Sequence, residues 1–170
     1  MQGTSRRPSA ALAPSGRAEH AATGGEPREL FTTLARTALH LDALQRDSLR
    51  DLGLSFTEYS VLRLLQRAPK RRLAPSVLAE AILCTTGAMT KLVDRLQRAG
   101  RVSREPDPND RRGVLVRLEP AGNRVANAAA ERYQQERDRV LGRLRPREAK
   151  RIHESLRRLL EALEADRSER

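Results

Sequence analysis

The sequence predicts a mainly α-helical fold with one small β-hairpin. Apolar residues recur at helical spacing through most of the chain. Two short amphipathic helices are predicted at 75–81 and 85–99, and Gly100 ends the second. Two alternating segments, 101–105 and 114–118, then flank a turn-rich stretch that contains arginines. Helix, turn, helix and basic hairpin, in that order, are typical of a winged helix-turn-helix.

The N-terminal half begins with residues 1–27, which are rich in Ala, Gly, Pro and Ser and have almost no large apolar side chain. Such a segment cannot bury enough surface to offset its ordering entropy, so we predict a disordered tail. Residues 28–52 have a helical pattern. Ser55 and Glu58 have the spacing of a capping box and predict the start of a second helix. A minor strand is expected at Arg72–Leu73, beside the hairpin.

Two long helices are predicted after the hairpin, over 119–144 and 146–165. The last one has a wide apolar stripe, formed by Ile152, Leu156, Leu159, Leu160 and Leu163. A small winged-helix unit over 55–119 does not need so much extra helical surface. We therefore expect residues 28–54 and 120–166 to form a helical dimerisation layer, with an intramolecular bundle as the alternative.

The composition indicates a polyanionic partner. The 170 residues include 33 Lys and Arg against 22 Asp and Glu, a formal charge of +11. Nucleic acid is the commonest such partner, although a charged surface also serves solubility. Two Tyr, two Phe and no Trp disfavour single-strand binding, which depends on aromatic stacking.

Several functional classes are disfavoured. A single cysteine excludes an intrachain disulfide and suits a reducing cytoplasm. No apolar run approaches the ~20 residues of a membrane span, and no secretory signal is evident. The three histidines are scattered, and we find no nucleophile–base set or glycine-rich phosphate loop. The sequence therefore predicts a cytoplasmic protein that is not an enzyme and has no cofactor, metal site or membrane partner.

The second short helix divides into a core face and a face for DNA. Its core face consists of Met89, Leu92, Val93 and Leu96. The N-terminal part of such a helix enters the major groove, where small and hydroxylated residues allow close approach. The candidate DNA contacts in the two helices are Ser76, Thr85, Thr86, Gly87, Ala88, Thr90, Lys91 and Arg95. Either Thr85 or Thr86 is also expected to cap the helix.

The hairpin tip adds Asp110, Arg111 and Arg112 as candidate DNA contacts. A protruding arginine there suits a narrow minor groove, where the negative potential is concentrated. Asp110 is placed to orient the guanidinium of Arg112. An ordinary exposed charged turn is the alternative for any one of these residues.

Asp94 is an acid on the face expected to meet DNA, which is unfavourable unless a cation neutralises it. One explanation is a surface salt bridge to Lys91 or Arg98, at i−3 and i+4. The other is a bidentate bond from Arg111 or Arg112 that clamps the wing to the helix.

The run over residues 90–122, TKLVDRLQRAGRVSREPDPNDRRGVLVRLEPAG, resembles the central signature of the MarR family of bacterial transcription regulators. Its D-R-L, A-G-R-V, wing-tip and L-x-P-A-G elements all match. The resemblance implies a homodimer whose terminal helices form the interface and whose two lobes bind a pseudo-palindromic operator. It also places the family's wing Asp and Arg at Asp110 and Arg112, and its recognition-helix Asp at Asp94.

Many members of that family are repressors that release DNA when a small phenolic or anionic ligand binds. The resemblance therefore implies a double-stranded-DNA-binding regulator, a ligand-responsive repressor with an aromatic or anionic effector. His40, on the first long helix, is a candidate for the ligand pocket, with a solvated helix residue as the alternative. Cys84 precedes the recognition helix, where it is expected to be a small core residue or, alternatively, an oxidant sensor. A winged-helix module that binds protein or RNA is the alternative function.

Overall fold

The computed structural model describes residues 25–169, which contain six α-helices and three β-strands in the predicted order. The helices are α1 (Gly25–Leu49), α2 (Phe56–Arg67), α3 (Pro75–Ala81), α4 (Thr86–Arg98), α5 (Pro120–Leu141) and α6 (Pro146–Ser168). The strands are β1 (Arg72–Leu73), β2 (Val102–Asp107) and β3 (Asp110–Leu118), and two 3-10 turns span Arg50–Leu52 and Pro69–Arg71. The predicted fold class, mainly helical with a small β-hairpin, is confirmed.

The boundaries of the long helices differ from those predicted. Helix α1 begins at Gly25, inside the predicted tail, and the rest of that tail lies outside the described residues. It ends at Leu49, and a 3-10 turn and Gly53 in the left-handed conformation follow. Helix α5 ends at Leu141 rather than near residue 144.

The described residues fall into two compact units, divided between Leu41 and Asp42. The described part of the first unit belongs to α1 and has exposed apolar side chains such as Phe31 and Leu39. The second unit contains the core and the winged helix-turn-helix. Among residues 25–169, no single helix is long and apolar enough to cross a membrane, although the bent α3–α4 pair passes on length and composition alone.

The core of the second unit consists mainly of aliphatic side chains from α2, α3, α4 and the sheet. The predicted face of α4 is buried: Met89, Leu92, Val93 and Leu96 are at most 5% exposed. Helix α2 contributes the expected Tyr59, Leu62 and Leu65, and also Val61. Helix α5 approaches closely through Ala126 and Ala129, whereas its Val140 and Leu141 are exposed. The period of 3.6 residues therefore identified the buried face of α4 correctly.

The strands form an antiparallel sheet in the order β1-β3-β2. Arg72 pairs with Arg117, which confirms the predicted minor strand. The hairpin is longer than predicted, because strand pairing continues to Asp107 and Asp110 at its tip. A register shift just before Asp107 leaves 111–113 as extra residues on β3. A Cβ on Gly113 would lie 2.9 Å from the Cβ of Asp107, so only glycine allows the tip to close this tightly.

The start of α5 is held against the base of the hairpin. The backbone N–H of Glu119 donates to the carbonyl oxygen of Arg101 over 3.0 Å. A Cβ on Gly122 would lie 2.1 Å from the same oxygen, closer than any side chain permits. The guanidinium of Arg101 donates to the carbonyls of Leu52 and Gly53, at 2.9 and 2.8 Å. These contacts fix the base of the hairpin, and with it α4, within the core.

Candidate nucleic-acid interface and ligand cleft

Helices α3 and α4 form the helix-turn-helix. Their axes are bent by 109°, within the range of about 90–120° for this motif. The backbone of the turn is satisfied, since Leu83 N–H donates to Glu80 O and Cys84 N–H to Ala79 O, at 3.1 and 3.0 Å. Leu83 has a φ of 56°, in the left-handed region where glycine is usual. The turn thus redirects the chain without unpaired backbone groups at these positions.

The N-terminal part of α4 is exposed and free of bulky side chains. Thr85 is the cap: its hydroxyl accepts from the Ala88 N–H over 3.2 Å, which decides between the two threonines. The Thr90 hydroxyl donates to Thr86 O over 3.0 Å. Gly87 leaves open space, since an added Cβ would meet nothing within 4 Å. The candidate contacts on α3 and near the start of α4 are all exposed: Ser76, Thr85, Thr86, Gly87, Ala88, Thr90 and Lys91.

Arg95, a predicted DNA contact, has a partner within the protein. Its Nε donates to Oε1 of Glu58 over 3.0 Å. Glu58 also completes the predicted capping box, accepting from the Ser55 N–H over 2.9 Å while the Ser55 hydroxyl accepts from the Glu58 N–H. Glu58 is only 8% exposed, and a buried carboxylate needs such partners. Arg95 therefore links α4 to α2, although its side chain remains 54% exposed.

The electrostatics of Glu58 follow from this arrangement. Burial alone would raise its pKa, because it disfavours the charged form. The hydrogen bonds from the Ser55 N–H, from Arg95 and from the Ser55 hydroxyl, together with the charge of Arg95, outweigh burial and hold the pKa of Glu58 below its ordinary value. Glu58 is thus ionised at neutral pH.

Asp94 is neutralised by a residue that we did not predict. Its Oδ1 accepts from Nη2 of Arg104 on β2 over 2.6 Å, and Nη1 of Arg104 donates to Oε1 of Gln97 over 2.5 Å. Arg98 reaches only the main-chain oxygen of Asp94. A bond from Arg111 or Arg112 was therefore the wrong expectation, as was the surface pair.

The physical reason is the position of each arginine along the hairpin. Arg104 lies two residues after the buried Val102, on the same face of β2, and β2 packs against α4. Arg111 and Arg112 lie at the far end of the hairpin. The sequence signal that could have identified Arg104 is the alternation of the strand, counted from its buried residue.

The tip of the wing is organised by two aspartates. Oδ1 of Asp107 accepts from the Asn109 N–H, and Oδ1 of Asp110 from the Arg112 N–H, both at 2.9 Å. Asp110 therefore orients the backbone of Arg112, whereas we expected it to orient the guanidinium. Arg111 and Arg112 are exposed, and neither has a carboxylate partner among residues 25–169.

Other arginines of the sheet are paired. Arg72 donates to Glu105 over 2.7 Å and Arg117 to Glu119 over 3.0 Å. The Ser103 hydroxyl, which donates to Glu119 over 2.6 Å, lowers the pKa of that carboxyl most, and Arg117 adds to the effect. Because these charges compensate each other, the uncompensated positive charge of the hairpin is concentrated at its tip.

A separate cleft of about 590 Å³ lies among α2, α5 and the turn after α3. Its lining includes the aromatic rings of Phe56, Tyr59 and Tyr133, whose centroids are 5.6–6.2 Å apart. Arg63, Arg67 and Arg137 also line it, and none of the described lining residues is Asp or Glu. These features favour an anionic aromatic ligand.

Arg63 in this cleft is held by a side-chain amide rather than by a carboxylate. Arg63 Nη1 donates to Gln66 Oε1 over 2.8 Å. Gln66 in turn donates to the side chains of Asn123 and Asn127 on α5, at 2.8 and 2.9 Å. His40, the pocket candidate from the sequence, is exposed and is not part of the lining. The residues that do line the cleft are far apart in the chain, so no local pattern identified them.

Comparison with known proteins identifies the family. The model of the MarR family matches residues 52–113, which include α2 to the wing tip. The HTH-type transcriptional regulator PecS of Dickeya dadantii is 32% identical over 116 residues, covering 66% of this chain and 69% of PecS. The chain belongs to the MarR family. The resemblance seen in residues 90–122 is thereby confirmed, and the family is one of transcriptional regulators and not of enzymes.

Further members support the match. The multiple antibiotic resistance protein MarR of Salmonella typhimurium is 34% identical over 91 residues, or 54% of this chain, and the chain spans 62% of that protein's length. The structure of Sco3205 from Streptomyces coelicolor in complex with DNA has a TM-score of 0.75 and 29% identity, covering 81% of this chain and 88% of Sco3205. A MarR mutant from Escherichia coli complexed with operator DNA has a TM-score of 0.72 and 26% identity, covering 79% and 96%.

Proposed function

We propose that the chain is a sequence-specific, double-stranded-DNA-binding transcription regulator that acts as a homodimer. This proposal is supported by two features of the winged helix-turn-helix: the N-terminal part of α4 is exposed and free of bulky side chains, and the arginines at the wing tip are uncompensated. The N-terminal part of α4 enters the major groove, while Arg112 enters the adjacent minor groove. Two relatives of the same fold, Sco3205 and E. coli MarR, have been solved with DNA.

The proposed dimer interface includes α6. Its apolar stripe is exposed in the single chain, with Ile152, Leu156, Leu160 and Leu163 between 45% and 54% exposed. A contiguous apolar face of this kind is rarely left in water. A second copy of the chain covers it, and the resulting two-fold dimer binds half-sites about 10 bp apart, centre to centre.

We further propose that the regulator is a repressor that responds to a ligand. YetL of Bacillus subtilis, named a transcriptional repressor, is 32% identical over 94 residues, covering 55% of this chain and 56% of YetL. The aromatic cleft with Arg63 and Arg67 accepts a small aromatic anion. The guanidinium groups bind its carboxylate or phenolate, and the rings of α2 and α5 enclose its apolar part.

Selection of duplexes from a random pool tests this function. The full chain should enrich an inverted repeat, and fluorescence anisotropy should show that random duplex and RNA of the same length compete poorly. Light scattering should give the mass of a dimer. Equal competition by RNA, or no enriched sequence, would contradict the proposal.

The ligand response is tested with benzoate and 2-naphthoate as probes. Either probe should raise the melting temperature and weaken binding to the selected duplex. Arg67→Glu should abolish both effects, because it places a carboxylate in the cleft. Arg158→Glu on α6, outside the cleft, is the matched control and should retain them.

A further inference from the structure

We propose that Arg104 is a positioning residue that fixes the wing against α4 and so determines how strictly the protein discriminates among DNA sequences. This inference rests on the proposed function in DNA binding. It concerns selectivity, whereas the residues of the α4 N-terminus and the wing tip supply the contacts themselves.

Arg104 lies on β2, two residues after a buried valine. Val102 is 2% exposed and anchors the strand in the core. Side chains alternate along a strand, so Arg104 emerges on the same face as Val102, at the edge of the core. Glu105 lies on the other face and pairs with Arg72. Arg104 is therefore directed to α4, and its side chain is 30% exposed.

The guanidinium of Arg104 bonds two side chains of α4 at once. Asp94 and Gln97 lie one turn apart on α4, at i and i+3, and Arg104 binds both with different nitrogens, at 2.6 and 2.5 Å. Two bonds to consecutive turns fix the position of the hairpin along the helix as well as its distance from it. The planar guanidinium can form such a fork, whereas an ammonium is a point charge.

Apart from this fork of two hydrogen bonds, α4 and the outer hairpin are weakly connected. Helix α4 is connected to β2 through Gly100, which has a φ of 65° and has no atom near the position of a Cβ. Outward from Val116, no residue of the hairpin is buried, and Val114 is 41% exposed. Within the described residues, the bonds of Arg104 are the only side-chain hydrogen bonds between α4 and the hairpin. Without them, the outer hairpin depends on strand pairing alone.

A fixed hairpin fixes the number of base pairs between the major-groove contacts of α4 and the minor-groove contact of the wing. A wing that can shift should still meet phosphates, because that attraction does not depend on sequence. It should, however, accept sites with different spacing. Loss of Arg104 is thus expected to reduce selectivity more than general DNA affinity.

The experiment uses three variants of the full chain: Arg104→Ala, Arg104→Lys and Arg98→Ala. Duplexes are first selected with the wild-type chain. Dissociation constants are then measured for a selected duplex, for the same duplex with one base pair inserted between the α4 and wing contacts, and for random duplex. Arg98→Ala is the matched control, since it removes a cation from α4 that bonds only the main-chain oxygen of Asp94.

Both Arg104 variants should reduce the ratio of selected to random affinity by about twofold to fivefold, the scale of a partly exposed ion pair, and reduce the penalty for the insertion. Arg104→Lys is the decisive variant, because it keeps the charge, and its fold is checked by melting temperature. Arg98→Ala should leave both the ratio and the insertion penalty unchanged. Combining Arg104→Lys with Asp94→Asn should add little to either change alone.

If folded Arg104→Lys has the same ratio of selected to random affinity and the same insertion penalty as the wild type, the inference is overturned. Additive effects of Arg104→Lys and Asp94→Asn in the double variant would also overturn it. If the wild-type chain enriches no duplex, the proposed function fails together with this inference. If it enriches an inverted repeat and Arg104→Lys behaves as wild type, only the inference fails.

Discussion

Replacement of Arg112 with alanine tests the role of the wing tip. Arg112 is exposed, has no carboxylate partner among residues 25–169 and lies at the end of a hairpin that Gly113 closes tightly. Its side chain supports no other element, so the variant should fold as the wild type does. Any loss of DNA binding then reflects the lost contact.

The magnitude follows from the number of uncompensated cations. Among residues 25–169, each lobe presents three in the proposed contact regions, the N-terminal part of α4 and the wing tip: Lys91, Arg111 and Arg112. A dimer therefore presents six. Each neutralised phosphate contributes about −0.9 to the slope of log affinity against log salt concentration. The slope is therefore about −5.4 for the wild-type dimer, and about −3.6 after both copies of Arg112 are lost. A minor-groove contact worth at least about 1 kcal/mol per lobe predicts a dissociation constant raised at least about 30-fold.

Fluorescence anisotropy of a selected duplex, titrated at several concentrations of KCl, measures both quantities. Arg158→Ala removes the same charge from α6 and should change the affinity less than twofold, since α6 is not part of the winged helix-turn-helix. Unchanged affinity and slope in Arg112→Ala would refute the wing assignment. An equal loss in both variants would show that only total charge matters.

Three further predictions concern stability and assembly. Gly122→Ala should destabilise the fold by about 2–3 kcal/mol in urea unfolding, because the added Cβ overlaps a carbonyl oxygen. Gly87→Ala, where an added Cβ meets open space, should instead stabilise the fold by about 0.5–1 kcal/mol. Similar values for the two variants would refute the packing argument. The pKa of Glu58 is lowered by folding, so its contribution to stability is present at neutral pH and is lost as pH falls below about 4.3. The difference in melting temperature between wild type and Glu58→Gln should therefore shrink at low pH. A difference that stays constant with pH would contradict this prediction. Leu156→Glu should be monomeric by light scattering, whereas Arg158→Glu on the opposite face of α6 should remain dimeric. A dimeric Leu156→Glu would exclude the α6 stripe from the interface.

Features that depend on near neighbours were predictable from the sequence. The period of α4 identified its buried face, because a helix repeats every 3.6 residues whatever surrounds it. The Ser55–Glu58 capping box was equally evident, since its two bonds join residues three apart. The family itself followed from one continuous run, residues 90–122.

The partners of charged side chains were not predictable in this way. Arg95 binds Glu58 from 37 residues away, and Asp94 binds Arg104 rather than an arginine of the wing tip. The sequence offers several arginines as possible partners for each carboxylate, and tertiary packing decides which of them forms the ion pair. Likewise, Arg63 and Tyr133 line one cleft only because α2 and α5 pack together. The sequence by itself determined the helices, the hairpin and the family, since these depend on local patterns. The tertiary structure alone decided how α4 and the wing are held together, because that depends on the distances between elements.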